Sequence, residues 1–302
     1  MLRRLSFVLL TALTGCRRAE TPRTDAGVSP QVTVDAHTAL ARDARTDART
    51  DAHTDAHTDA PGPADDVGDA GADATRAQTG PFSAPFLGTR EVWWIAPHRA
   101  GRQRLMAMLH GVCNPPAYTC GLWAETAKEL GFLVCPEGDG KCPAAMYGAP
   151  TWNEPDTKID EDLDRAIATV EAYHPGELAR DAPVLLGFSR GAYAAVKIAA
   201  AHPGRWPYLV IVEATPAPTA KQLRAAGVRA VALVAGEKGA QLSGQRKIAS
   251  ALAADGFPAK VWVMPGAGHH YSSDADVILR DAVRWVTSFQ GDATTFAADA
   301  GQ

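Results

Sequence analysis

An α/β fold, a mainly parallel sheet with helices on both faces, is what the sequence predicts for residues 81–290. Three observations predict it. Short apolar segments alternate with amphipathic ones from residue 91 to 289, as strands buried on both faces alternate with crossover helices. Within that stretch, residues 183–202 read as an apolar strand, a tight turn at Gly187-Phe188-Ser189-Arg190-Gly191, and an Ala-rich helix stopped by Pro203-Gly204. Residues 17–80, by contrast, hold almost no large apolar side chains and cannot bury enough surface to offset the entropy of ordering.

The foldable part begins near Phe82. Residues 91–97 and 104–110 are two expected strands with a Gly/Arg turn between them, the second ending in His110-Gly111-Val112. Residues 122–130 form an amphipathic helix and 132–134 a buried strand. A helix over 158–173 follows, with an acidic first turn that suits the helix dipole. After the strand and helix around Ser189, strands are expected at 209–212, 228–235 and 260–264, with helices at 219–226, 244–254 and 275–289. Residues 291–302 read as a flexible tail.

The first sixteen residues have a basic start, an apolar run of about ten residues and a small-residue exit, which is a signal peptide too short to span a bilayer. Its end, Leu13-Thr14-Gly15-Cys16, resembles the lipobox of bacterial lipoproteins, and that resemblance makes Cys16 the lipidation site and residues 1–15 the removed leader. From Arg42 the chain runs in four-residue Thr-Asp-Ala-Arg/His repeats and then a Pro/Gly/Asp/Ala tract. His37, His53 and His57 lie among these aspartates, but low complexity fixes no coordination geometry, so the tract reads as a tether and not a metal site. As a flexible coil, residues 16–80 would reach about 45 Å, and an acylated anchor would hold the domain on a membrane without a transmembrane helix.

The chain carries a formal net charge of −4, and residues 17–80 hold 12 acidic and seven basic groups. The part beyond residue 80 is near neutral, which leaves no electrostatic footprint for nucleic acid.

The strand-turn-helix setting turns the Gly187-x-Ser189-x-Gly191 pattern into a nucleophile elbow. Glycines flank the serine because side chains there would collide with the crossing strand and helix, and the hydroxyl is held out at the carboxyl end of a sheet. His110-Gly111 at a strand end, this elbow, and Pro265-Gly-Ala-Gly-His-His270 after the last strand occur in one order that resembles the α/β-hydrolase family over about Phe82 to Phe289. The resemblance implies that Ser189 is the nucleophile and that the backbone N–H groups of Val112 and Arg190 form the oxyanion hole, with His110 structural. It places the general base at His269, with His270 as the alternative. His98, His174 and His202, at element ends, are expected to be solvated.

The acid departs from the family's pattern. An Asp is usual three residues after the glycine closing the seventh strand, and Gly239 stands there. Glu213, ending the preceding strand, is the favoured acid, because an ionisable group after a buried apolar strand needs a partner; Glu237 is the alternative.

Four further cysteines, Cys113, Cys120, Cys135 and Cys142, are an even set in a chain expected to be exported. Three pairings are possible, and Cys113 with Cys120 plus Cys135 with Cys142, in sequence order, is the expectation. Zinc is the competing reading, but this spacing is not a usual zinc motif, so no metal and no cofactor are expected. Tyr118, Trp123, Tyr147 and Trp152 are candidates for substrate contact or for packing at the rim. Only residues 214–218 separate one strand from the following helix, where larger relatives insert a lid, so the cleft should be open.

The expected activity is that of a lipid-anchored, extracytoplasmic serine hydrolase, a carboxylic ester hydrolase working through an acyl-enzyme. A serine peptidase of the same fold, or a surface lipoprotein whose fold survives as a binding module, are the competing readings.

Overall fold

The computed structural model describes residues 75–290. The leader, Cys16, the repeat tether and the tail beyond residue 290 lie outside the described residues. Contacts begin ahead of the expected start of the domain at residue 81: Thr75 bridges Arg99, and the Arg76 guanidinium pairs with Glu177 and lies over the Phe132 ring.

The chain opens with an antiparallel pair, β1 (Phe82–Leu87) and β2 (Arg90–Ile95), followed by β3 (Gln103–Leu109). Two short helices, α1 (Pro116–Leu122) and α2 (Ala124–Leu130), lead to β4 (Phe132–Pro136). A small ribbon follows, made of β5 (Gly140–Lys141) and β6 (Pro150–Thr151), and then the long α3 (Asp156–Tyr173). The remainder alternates: β7 (Leu178–Phe188), α4 (Arg190–Ala201), β8 (Tyr208–Val212), α5 (Ala220–Ala225), β9 (Ala230–Gly236), α6 (Gln241–Ala254), β10 (Ala259–Met264) and α7 (Ala275–Thr287).

The main sheet has the order β1-β2-β4-β3-β7-β8-β9-β10, and every pairing from β4 to β10 is parallel. Period-2 alternation assigns each strand's side chains to two cores. In β3, Leu105, Ala107 and Leu109 face a core shared with α3, α4, α5 and α6, while Met106 and Met108 face one shared with α1, α2 and α7. Both faces are therefore covered. All the parallel strands point one way, so the loops after β3, β4, β7, β8, β9 and β10 meet at one edge.

Two differences from the sequence-based expectation have local causes. The helix expected over 122–130 is α2, starting at Ala124, and an unexpected helix, α1, precedes it; Trp123 between them leaves helical geometry (φ −99°, ψ 3°), with its indole buried and donating to the Tyr271 hydroxyl at 3.2 Å. Strand β1 lacks a clean apolar alternation, being an edge strand, and was not expected as a strand of its own.

The disulfide expectation is corrected. Cys113 bonds Cys142 (Cα–Cα 5.6 Å) and Cys120 bonds Cys135 (6.0 Å), so neither sequence-neighbour pair forms. Cys120 is on the buried side of α1, which packs against β4, and meets the inward-facing Cys135 there. Cys113 lies instead in the loop after β3, left-handed at φ 53°, where it meets the end of the β5 strand. Helix packing separates Cys113 from Cys120 more effectively than six intervening residues join them.

His174 is a smaller correction. It is packed and not solvated: its Nε2 accepts from Trp94 Nε1 at 3.1 Å, and its ring lies 4.9 Å from Phe132. Burial holds its pKa below the ordinary value.

Candidate active site

The elbow is built by close approach. Ser189 sits between β7 and α4 at φ 51°, ψ −117°, a left-handed conformation unusual for a residue with a side chain. A Cβ on Gly191 would lie 2.1 Å from the Leu109 carbonyl oxygen on the crossing strand, and one on Gly187 would lie 2.5 Å from Ala192. Only glycine fits either place, and the crossing forces the Ser189 side chain outward.

The loop after β10 reaches this point by crossing β9. A Cβ on Gly236 would lie 2.2 Å from the Gly268 carbonyl oxygen, so the absent side chain is what lets the loop lie against the strand end. His269, in that loop, has Nε2 3.0 Å from Ser189 Oγ and Nδ1 3.1 Å from Glu213 Oε2. An ionised carboxylate only accepts, so Nδ1 carries the proton, and the Nε2 lone pair faces the serine hydroxyl. The Phe188 ring lies 5.3 Å from the imidazole and stacks on Tyr271, closing one side of it.

Glu213 follows β8 at φ 51°, a second left-handed residue, and is buried. Its N–H donates to the Val234 carbonyl at 2.9 Å, and its Oε1 accepts from the Gly236 amide. Burial pushes the carboxyl above its ordinary pKa, against the Gly236 amide and His269, which both favour the charged form. Of the two candidate acids, only Glu213 meets His269. Glu237 Oε2 accepts instead from the Gly266 amide at 2.9 Å. His270 likewise turns back on its own loop, hydrogen bonding the Tyr271 carbonyl and the Gly268 amide.

Gly239 explains how the Glu213 carboxylate fits. A Cβ there would lie 3.2 Å from Glu213 Oε2. No side chain stands at Gly239, and the carboxylate from the neighbouring strand fills the adjoining space.

Behind Glu213 stands Gln245 of α6, which sequence reasoning missed. Its buried amide donates to the carbonyls of Ile211 (3.3 Å), Ala214 (3.0 Å) and Val234 (3.2 Å), pinning the chain on both sides of Glu213. A signal was present: Gln245 interrupts the apolar stripe of Leu242, Ile248 and Leu252.

The loop after β3 runs along the elbow, since a Cβ on Gly111 would lie 3.2 Å from Ser189 Cβ and 2.9 Å from Phe188. Val112 follows directly, and Cys113 is then tied to Cys142. Arg190 is the first residue of α4, where N–H groups have no intrahelical acceptor, and its guanidinium turns away to Asp156 at 2.8 Å. His110 is buried beneath: Nδ1 donates to the Gly111 carbonyl at 2.7 Å and Nε2 accepts from the Gly138 amide at 2.9 Å. Burial pushes its pKa down to about 4, keeping the ring neutral. Of the four candidate aromatics, Trp123 and Trp152 are buried, the latter donating to the His110 carbonyl at 2.8 Å, while Tyr118 and Tyr147 are exposed.

No family model and no curated protein matches the sequence. Solved structures do match in fold. The chain is similar to esterase PE8, with 18% identity and a TM-score of 0.50 over 64% of this chain and 97% of that one. It is also similar to an S-formylglutathione hydrolase from Agrobacterium tumefaciens, with 15% identity and a TM-score of 0.51 over 70% and 94% of the two chains. A third is Est1E from Butyrivibrio proteoclasticus, with 10% identity and a TM-score of 0.50 over 68% and 98%. The sheet order, the crossings at Gly187 and Gly191 and these likenesses together establish that the chain has the α/β-hydrolase fold.

Proposed function

We propose that the protein is a serine hydrolase of carboxylic esters acting through an acyl-enzyme. The observation that carries this reading is the continuous hydrogen-bonded chain from Ser189 Oγ through the His269 imidazole to the Glu213 carboxylate. In that arrangement Ser189 Oγ attacks the ester carbonyl carbon while His269 Nε2 takes its proton, and Glu213 stabilises the imidazolium. The Val112 and Arg190 N–H groups receive the oxyanion, each such donor being worth roughly 10²–10³ in rate. Collapse expels the alcohol, which leaves with the proton held on His269. Water then attacks the acyl-serine with His269 again as base, releasing the carboxylic acid and restoring Ser189.

The esterase names of similar structures support ester over amide substrates. The lipid anchor at Cys16 and a site in the bacterial cell envelope, outside the cytoplasm, belong to the same proposal. They rest on the leader sequence, and two disulfides suit an oxidising compartment. A fluorophosphonate probe should label the protein covalently and fail to label Ser189→Ala. Labelling that survives this substitution, or none in the unaltered protein, would refute the reading.

A further inference from the structure

Among the described residues, seven large apolar side chains are exposed, and their placement is uneven. Val112 is in the loop after β3, Tyr118 in the first turn of α1, and Met146 and Tyr147 between β5 and β6. Tyr193 is in the first turn of α4 and Val277 in that of α7. All six therefore belong to segments that leave the carboxyl ends of strands, the edge that carries Ser189 and His269. Only Tyr173, at the end of α3, lies elsewhere. Clustered exposed apolar side chains mark an interaction surface, whereas scattered ones need no explanation.

Their supports tie them to the site. The segment with Met146 and Tyr147 is closed at its base by the Cys142 N–H to Ala149 carbonyl bond and fastened to Cys113, next to Val112, by a disulfide. The Asn114 N–H donates to Pro150, and Asn114 Oδ1 accepts from Thr119 in α1, which draws the Tyr118 turn to the same place. Tyr193 bonds Thr215 beyond Glu213. Tyr147 is 98% exposed on a left-handed residue, so the fold holds a phenol ring in water with no hydrogen-bond or ring partner among the described residues. Because α1 and α7 cover one face of the sheet and α4 the other, these side chains stand on both sides of the elbow. The connection from β8 to α5 inserts no element that could close over them.

Charge narrows the occupant. Between residues 137 and 154 the sequence holds three carboxylates, Glu137, Asp139 and Glu154, against one cation, Lys141, which pairs with Glu137, and Arg190 beside the nucleophile is turned to Asp156. Such an edge repels an anionic bilayer, whose peripheral proteins present clustered Lys and Arg. We infer that this edge is a docking surface for an uncharged, water-insoluble polyester, whose chain lies across Ser189 with Tyr118 and Tyr147 as aromatic platforms. The inference rests on Ser189 being the nucleophile, but binding can be tested without turnover.

In the Ser189→Ala background, adsorption to polycaprolactone particles should be saturable, and adding Tyr118→Ser with Tyr147→Ser should weaken it by roughly tenfold or more. The melting temperature should not move, because both rings already face solvent. In the active protein, the two tyrosine substitutions should lower the rate on particles by more than the rate on soluble p-nitrophenyl acetate. Failure of Ser189→Ala to adsorb, adsorption indifferent to both tyrosines, equal loss on both substrates, or tighter binding to anionic phospholipid vesicles than to the particles would each overturn the inference. Tyrosine-dependent adsorption by a protein that hydrolyses neither ester would uphold the docking surface and sink the proposed hydrolase.

Discussion

Replacing Glu213 by Gln tests the site at its least usual joint. Gln keeps the shape and an oxygen to accept from the Gly236 amide, but it presents NH₂, and no negative charge, to His269 Nδ1. Two losses follow. The imidazolium formed when Ser189 gives up its proton loses a counter-charge at about 4 Å, worth roughly 4 kcal/mol at an effective dielectric of about 20. With the His269 side chain 51% exposed, screening lowers that figure, leaving about two to three powers of ten in rate. The tautomer adds to it: an amide NH₂ favours Nδ1 as acceptor, which puts the proton on Nε2 and turns a donor toward Ser189. The combined loss in kcat should be about 10³- to 10⁴-fold with little change in KM.

Stability should move the other way. Burial raises the folded-state pKa of Glu213, so the fold binds that proton more tightly than the unfolded chain does, and its contribution to stability declines as pH rises above 4.5. Gln has no such decline. Denaturation of the Glu213→Gln variant at pH 8 should therefore show a midpoint no lower than that of the unaltered protein, separating lost chemistry from lost fold. A kcat loss below tenfold, or an equal loss in Glu237→Gln, would refute the reasoning.

Gly239→Asp added to Glu213→Gln should recover part of the lost kcat, because the new carboxylate enters the space beside Glu213 Oε2; single-turnover rates no better than those of Glu213→Gln would count against it. Acid should destabilise the fold through His110. Its neutral folded form contributes fully above pH 6.5, and about 3 kcal/mol is lost as pH falls from 6.5 to about 4; chemical denaturation across that window should show a slope that shrinks in His110→Gln. The two disulfides close loops of 29 and 15 residues, so loop entropy gives about 4 and about 3 kcal/mol of stabilisation. Breaking Cys113–Cys142 with paired serines should also lower kcat by freeing the Val112 loop, while breaking Cys120–Cys135 should lower the melting temperature with a smaller effect on kcat. Peptide mapping without reduction should recover these two links.

The alternation of apolar strands with helices was legible because each element reports its own burial through a period of two or 3.6 residues. The meeting of Ser189 with His269 was legible for a related reason. The elbow glycines and the loop after β10 are local solutions to local collisions, and those collisions leave marks in consecutive residues. Which of Glu213 and Glu237 lies against His269 was only inclined by the sequence. It was decided by two contacts between distant segments, the Gly236 amide on Oε1 and the space left at Gly239. The disulfides show the limit most clearly. Nearness along the chain favoured Cys113 with Cys120, but α1 turns Cys120 inward onto β4 and leaves Cys113 at the rim. Which face of a helix is buried can be read from periodicity, whereas which strand that face covers depends on the packing of the whole sheet. Gln245 was obscured in the same way. A polar residue in an apolar stripe is visible in sequence, but the three carbonyls that its amide nitrogen meets come together only when β8, β9 and α6 are packed.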